Sequence, residues 1–108
     1  MYNIKHSELT FEWDPKKAIL NKEKHGISFD EAITVFGDEC GVLFDDPAHS
    51  EYEERQVLLG MSCNANLLIV CNCSREDEKK IRIISARKAT SKETEVYLEY
   101  NGEIGNER

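Results

Sequence analysis

The sequence predicts an α+β protein built from a small antiparallel β-sheet of about four strands, two N-terminal helices and one C-terminal helix. Three observations lead to this prediction: helix-capping patterns stand near both ends of the chain, strand-like apolar segments fill its middle, and mostly short turns separate those strands. Short turns favour antiparallel neighbours. Such a sheet and its helices pack as layers around one core, for which 108 residues are sufficient.

The first elements are a short strand and a helix. Residues 9–13 alternate between apolar and polar with period two, which predicts a strand with one face turned inward. Asp14 is suited to cap the helix that follows, and Pro15 to its first position, where the missing N–H costs nothing. We expect this helix to run to about His25. Gly26 then ends it, because glycine adopts the left-handed conformation that closes a helix.

Two further capping boxes predict the other helices. Ser28 and Glu31 begin the second helix, whose inward stripe is Phe29, Ala32, Ile33 and Phe36. Thr90 and Glu93 begin the C-terminal helix, whose inward face is Val96, Tyr97 and Tyr100. From residue 101 the chain is polar and contains two glycines, so we expect one domain over 1–100 and a disordered tail over 101–108.

The middle of the chain predicts a β meander. The expected strands are 41–45, 55–61, 67–74 and 79–86, joined by a polar loop over 46–54 and by turns at 63–66 and 75–78. The third of these strands is almost entirely apolar at its start, which indicates a central strand buried on both faces. Cys71 and Cys73 share one face of that strand. We interpret them as small buried residues rather than zinc ligands, which occur at wider spacing with a second ligand pair.

Composition and charge restrict the function. The net charge is −7 and the mean hydropathy is −0.57, and no apolar segment approaches the roughly 20 residues that span a bilayer. The N-terminal residues contain no apolar signal segment, so we expect a cytoplasmic protein without membrane contact, whose four cysteines are free thiols. Proteins that coat nucleic acid are basic overall, and therefore any contact with nucleic acid is expected to be local.

The segment 79–92 concentrates positive charge, with six cationic side chains and no acid. It is either a solvated basic face or an anion site, for which phosphate is the best match because Arg offers a planar fork of donors. Arg82 leaves one face of the predicted last strand, and Arg87 follows that strand just before a helix start. The alternative is that Arg82 pairs with an acid such as Glu12 or Glu54 and only holds the sheet together.

Two further segments could supply a proton acceptor. Glu54 follows an acidic loop, where crowded carboxylates raise one another's pKa, although a solvated acidic loop is the simpler interpretation. Histidine is a common acid or base in proteins, so His25 could accept a proton, but it could equally serve only as a cation in the last helical turn. The acidic loop matches no metal-binding pattern. We therefore expect no metal and no cofactor.

Taken together, these segments resemble the BrnT family of type II toxin–antitoxin toxins. The matching segments stand in the family's order and cover about residues 9–97: 11–17 (FEWDPKK), 24–32 (KHGISFDEA), 44–47 (FDDP), 53–55 (EER) and 81–90 (IRIISARKAT). The sequence departs from the family pattern at 72–75 (NCSR), where an aromatic residue or histidine followed by Thr-Glu-Arg is common.

The resemblance implies a ribonuclease toxin with a RelE-like fold that inhibits translation by cutting RNA. It also implies a BrnA-like antitoxin with a ribbon-helix-helix domain, through which alone the complex would contact operator DNA. The candidate active-site residues carried over by the resemblance are Lys24, His25, Glu54, Arg55, Arg82 and Arg87. We expect metal-independent attack by the ribose 2′-OH, with Glu54 or His25 as base. The alternative is an inactive module that docks the antitoxin in operon autoregulation.

Overall fold

The fold is a five-stranded sheet with helices on both sides. The computed structural model describes residues 9–46, 54–74 and 79–106, and the side chains of 9–46, 55–74 and 79–102. The strands are β1 (Thr10–Glu12), β2 (Val42–Asp45), β3 (Glu54–Met61), β4 (Leu67–Ser74) and β5 (Lys80–Lys88). The helices are α1 (Pro15–His25), α2 (Phe29–Ile33), a 3₁₀ turn (Thr34–Gly37) and α3 (Ser91–Asn106). The predicted α+β fold class is confirmed.

The sheet differs from the prediction in strand number and in one strand direction. The strand order is β1-β5-β4-β3-β2, so there are five strands rather than about four. β2, β3, β4 and β5 are antiparallel neighbours, whereas β1 runs parallel to β5. The argument from short turns does not apply to this last pair, because β1 and β5 are far apart in the sequence. A long connection between two strands permits either a parallel or an antiparallel pairing.

Local capping signals place α1 and α2. The Asp14 side chain accepts a hydrogen bond from the Lys16 N–H at 2.9 Å, and Gly26 ends α1 with a φ of 76°. The Ser28 hydroxyl accepts from the Glu31 N–H at 3.0 Å and so caps α2. The predicted stripe of the second helix extends to Phe36, but the chain is α-helical only to Ile33 and continues as a 3₁₀ turn.

A buried asparagine joins α1 to the last strand. β1 ends at Glu12, opposite Arg82, so the backbone of β5 beyond that point needs another partner on this side. Asn21, 7 % exposed, supplies one. Its Nδ2 donates to the Ala86 carbonyl at 2.8 Å and to the Ile27 carbonyl at 3.0 Å, while the Ala86 N–H donates to its Oδ1 at 3.1 Å. The asparagine amide thus continues the hydrogen bonding of the sheet edge.

The main core lies between α1, α2 and one face of the sheet. Trp13 meets Phe29 edge-on with ring centroids 5.8 Å apart, and Phe11 meets Phe36 at 5.1 Å. The buried residues of this core are Ile27, Phe29, Ala32, Val35, Phe36, Leu58, Leu68, Val70, Ile81, Ile83 and Ala86. The predicted inward stripe of the second helix is therefore confirmed, and Ile81 and Ile83 of the last strand face the same core.

The opposite face of the sheet carries a smaller core under α3. Tyr97 packs there against Val42, Leu59 and Ile69. Its hydroxyl donates to Asp38 at 2.8 Å, and burial together with this carboxylate raises the pKa of the Tyr97 phenol. Because Ile69 belongs to this core and its neighbours in β4 to the main one, β4 is buried on both faces as predicted.

Several predictions concern the ends of elements. β5 extends to Lys88, two residues beyond the expected end, and α3 continues through Asn106, beyond residue 101, where the sequence analysis begins the tail. Most of the predicted polar loop over 46–54 and the whole turn at 75–78 lie outside the described residues. Of the helices described, none has both the length and the apolar content that crossing a membrane requires.

Candidate active site

A row of side chains crosses four strands on the face that carries α3. In the sheet register Glu12 of β1 stands opposite Arg82 of β5, Arg82 opposite Cys73 of β4, and Cys73 opposite Arg55 of β3. Residues directly opposite one another project from the same face. We call Glu12, Arg82, Cys73 and Arg55 the cross-strand row. It lies toward one end of the face, while the small core under α3 occupies the other end.

Ion pairs fix the β1 end of the row. Arg82 Nη1 donates to Glu12 Oε2 at 3.3 Å, and Lys80 Nζ lies 4.0 Å from Glu12 Oε1. The side chains of Arg82 and Glu12 are 38 % and 32 % exposed, so solvent and a ligand can reach them. This is the pairing that the sequence analysis offered as the structural alternative for Arg82. It leaves a partly exposed carboxylate between two cations.

The other half of the row consists of a buried thiol and a second arginine. Cys73 is 3 % exposed and free of any disulfide. Arg55 lies beside Cys73 on the next strand, β3, and is half-buried. Strand spacing places the backbones of Arg55 and Arg82 about 10 Å apart, since two steps of roughly 5 Å separate them. Two guanidinium groups on long side chains can reach one phosphodiester from this separation.

A β-bulge brings Arg87 to the same face as Arg82. The two residues are five apart, so regular alternation would turn them to opposite faces. The register between β4 and β5 skips Ile84, however, and pairs Arg82 with Cys73 and Arg87 with Ile69. These partners are four residues apart in β4 and face the same side. Arg87 is thus a strand residue, not the post-strand residue that the sequence analysis expected.

Arg87 is nevertheless held by a carboxylate of α3. Its two terminal nitrogens donate to the two oxygens of Glu93, each at 2.8 Å, and Glu93 Oε1 also accepts from the Thr90 N–H at 2.9 Å. The Thr90 hydroxyl accepts in turn from the Glu93 N–H, which completes the predicted capping box. The hydrogen bonds from Arg87 lower the pKa of Glu93 to about 2. Arg87 therefore anchors α3 to the sheet.

The remaining candidates lie elsewhere or outside the described side chains. Lys24 and His25 form the last turn of α1, in the layer that covers the other face. In the described part of the chain, no hydrogen bond or ion pair joins either of them to Arg82 or Arg87. Glu54 begins β3, but its side chain lies outside the description. The structure thus groups Arg55, Arg82 and Arg87 on one face.

Glu12 is the residue of this site that sequence reasoning named only as a structural partner. The signal that could have found it is the alternation of residues 9–13, which turns Glu12 away from the core while its neighbours face inward. The pairing of β1 with β5 then decides which cation it meets. Among residues 9–46, 54–74 and 79–106, no group of three or more His, Cys, Asp or Glu could hold a metal ion.

Fold and site define a small α+β protein with a cationic, partly exposed sheet face, as suits a protein that binds phosphate groups. The model of the family described as "Ribonuclease toxin, BrnT, of type II toxin-antitoxin system" matches residues 13–93. The chain belongs to this family of toxins, and the resemblance is confirmed. Membership implies an antitoxin partner.

A solved structure supports the fold independently. The chain is similar to the Brucella abortus ribonuclease toxin BrnT, known from a crystal structure at 1.1 Å resolution, with a TM-score of 0.60 and 20 % sequence identity. The match covers 77 % of this chain and 99 % of the Brucella chain. A comparison with curated proteins returns no match. At this identity the likeness establishes the shared fold, and the roles of single residues must be argued from the site.

Proposed function

We propose that the chain is a cytoplasmic endoribonuclease that inhibits translation by cutting RNA, without a metal or a cofactor, until a ribbon-helix-helix antitoxin of the BrnA type neutralises it. The observation that carries this proposal is the cross-strand row, which puts two arginines and a carboxylate on one accessible level of the sheet. RNA supplies its own nucleophile, the ribose 2′-OH, so the protein need only position the phosphate, accept a proton and stabilise charge.

The arginines provide the phosphate site in this mechanism. Arg82 and Arg55 approach the phosphodiester from two strands and stabilise the charge that develops on its non-bridging oxygens. A base accepts the proton of the 2′-OH, and the 2′-oxygen forms a bond to phosphorus while the bond to the 5′-oxygen breaks. The products are a 2′,3′-cyclic phosphate and a 5′-OH, whose proton comes from water. Arg87 supports this surface by fixing α3 beside it.

Induced expression in a bacterial host tests the proposal. We expect growth arrest and fragmentation of total RNA with the wild type, and loss of both with Arg82→Ala. Lys16→Ala is the matched control, because it also removes one positive charge, from an exposed position on α1. Cleavage by Arg82→Ala within threefold of the wild type would contradict the phosphate site. Using whole cells keeps ribosomes present, so a ribosome-dependent activity is also detected.

A second candidate function is an inactive module that docks the antitoxin and takes part in operon repression. Two observations favour it: the net charge of −7, and the pairing of both Arg82 and Arg87 with carboxylates. An acidic surface suits a basic segment of a partner, because complementary charge selects and speeds the encounter. Normal growth and intact RNA, with the wild-type protein soluble and abundant, would favour this candidate over the nuclease.

A further inference from the structure

We infer that Glu12 is the general base of the RNA-cleaving site, a role for which the sequence analysis offered Glu54 or His25. The inference rests on the proposed nuclease function and names the residue that accepts the proton. Its first support is position. Glu12 stands in register with Arg82 on the same face, so a phosphate held by Arg82 lies beside the Glu12 carboxylate.

The surroundings of Glu12 suit a proton acceptor better than those of Glu93, a second carboxylate on this face. Glu93 is fully engaged, since Arg87 binds both of its oxygens and the Thr90 N–H binds one of them again. Glu12 accepts a hydrogen bond of 3.3 Å from Arg82 and lies 4.0 Å from Lys80, and its side chain is about one-third exposed. RNA that binds Arg82 can therefore reach the Glu12 carboxylate.

A purely structural role accounts less well for this pair. β1 is already fixed by its backbone pairing with β5, by the Thr10 N–H that donates to the Lys79 carbonyl at 2.8 Å, and by Phe11 in the main core. Ion pairs with this degree of exposure add little to stability, because water solvates the separated charges well. A phosphate can instead displace the Glu12 carboxylate from Arg82, because this ion pair is weak and partly exposed.

The chemical step can be written with Glu12 in its place. The Glu12 carboxylate takes the proton from the ribose 2′-OH, and the 2′-oxygen bonds to the phosphorus that Arg82 and Arg55 hold. The phosphorus–5′-oxygen bond breaks, the leaving 5′-oxygen takes a proton from water, and Glu12 afterwards releases its proton to solvent. Lys80, which lies 4.0 Å from Glu12 on the same strand as Arg82, adds positive charge beside the phosphate.

Glu12→Gln tests the assignment, because it keeps the size and an oxygen acceptor for Arg82 while removing the basic group. Wild type, Glu12→Gln, Arg82→Ala and the control Glu95→Gln, an exposed glutamate of α3, are induced in parallel. RNA fragmentation reports cleavage, ultraviolet cross-linking of cellular RNA to the protein reports binding, and thermal unfolding of the purified proteins reports folding. Loss of a general base slows a reaction by about 100-fold to 10,000-fold.

We expect Glu12→Gln to reduce cleavage at least about 100-fold while cross-linked RNA stays at or above the wild-type amount, because one negative charge beside the phosphate is gone. Arg82→Ala should lose both cleavage and cross-linking. Cleavage by Glu12→Gln within threefold of the wild type overturns the assignment, as does a joint loss of cross-linking and cleavage. Failure of the wild type itself to cut RNA overturns the proposed function instead, and the two failures are thereby distinguished.

Discussion

The replacement Asn21→Ala should destabilise the fold strongly although Asn21 does not belong to the cross-strand row. Alanine removes three hydrogen bonds, which join the Asn21 amide to the N–H and the carbonyl of Ala86 and to the carbonyl of Ile27. All three backbone groups are left without this partner at a side chain that is 7 % exposed. At about 1 kcal/mol for each lost bond, the free energy of unfolding should fall by about 3 kcal/mol.

Chemical denaturation measures this loss in the free energy of unfolding directly. In thermal denaturation, the melting temperature of a domain of this size should fall by roughly 10–20 °C. Asn21→Asp is the more specific test of the hydrogen bonds. Aspartate is nearly isosteric and keeps an acceptor for the Ala86 N–H, but it places an oxygen instead of an N–H donor against the carbonyls of Ile27 and Ala86. It should cost at least as much as alanine at pH 7. Lys17→Ala, at an exposed position of the same helix, is the control and should change stability by less than about 0.5 kcal/mol.

An Asn21→Asp protein as stable as the wild type would refute the reasoning, since the side-chain volume would then matter and the donated hydrogen bonds would not. A loss below about 1 kcal/mol for Asn21→Ala would have the same meaning. In either case water would have to hydrogen-bond the backbone groups of β5 beyond β1. The interpretation that α1 covers this edge of the sheet would then be wrong.

Two further variants test the contacts around α3 and β3. The pKa of Glu93 is lowered to about 2 from its ordinary 4.5, so the Arg87 pair stabilises the fold above about pH 4.5, and this contribution is lost as the pH falls toward 2. After allowance for solvent screening, Glu93→Gln should remove about 1 kcal/mol at pH 6 and much less at pH 2, measured by urea unfolding at both values. Gly60→Ala should destabilise by about 1–3 kcal/mol, because its Cβ would lie 2.8 Å from Val35 Cγ1 and 3.2 Å from Asp38 Oδ2.

Matched control replacements distinguish the expected losses of stability from the general effects of removing a carboxylate or adding a methyl group. Glu95→Gln removes an exposed carboxylate from the same helix as Glu93 and should show no comparable pH dependence. Gly102→Ala adds a methyl group with no atom within 4 Å and should be neutral or slightly stabilising in a helix. If Glu93→Gln lost equal stability at pH 6 and pH 2, the ion pair with Arg87 would not be its cause.

Local chemistry could be predicted from the sequence because neighbouring residues decide it. The hydrogen bonds of Asp14 and Ser28 and the reciprocal pair of Thr90 and Glu93 appear where the capping patterns placed them. The apolar stripes also led to the right faces, since burial of a strand or helix depends on its own period. Tyr100 is the exception, because it was expected to face inward but is 56 % exposed. These signals were sufficient for the fold class.

Features that depend on distant parts of the chain could not be predicted. The parallel pairing of β1 with β5 depends on how α1 packs, and that packing depends in turn on Asn21 reaching Ala86. The bulge at Ile84 adds a residue to β5 with no sequence mark such as a glycine. It reverses the face that alternation assigns to Arg87, and so decides which cations form one surface.

The two arginines of β5 therefore have different roles, which the positive charge of the segment 79–92 alone does not indicate. Arg87 is bound at both terminal nitrogens by a glutamate that the backbone of the α3 capping box also holds, so releasing it would loosen the helix start. Arg82 is paired with Glu12 through one longer, partly exposed bond that can exchange for a phosphate at little cost to the fold. Structure and site thus divide the basic segment into an anchoring arginine and an available one. The proposed chemistry belongs to the available arginine and to the carboxylate that is paired with it.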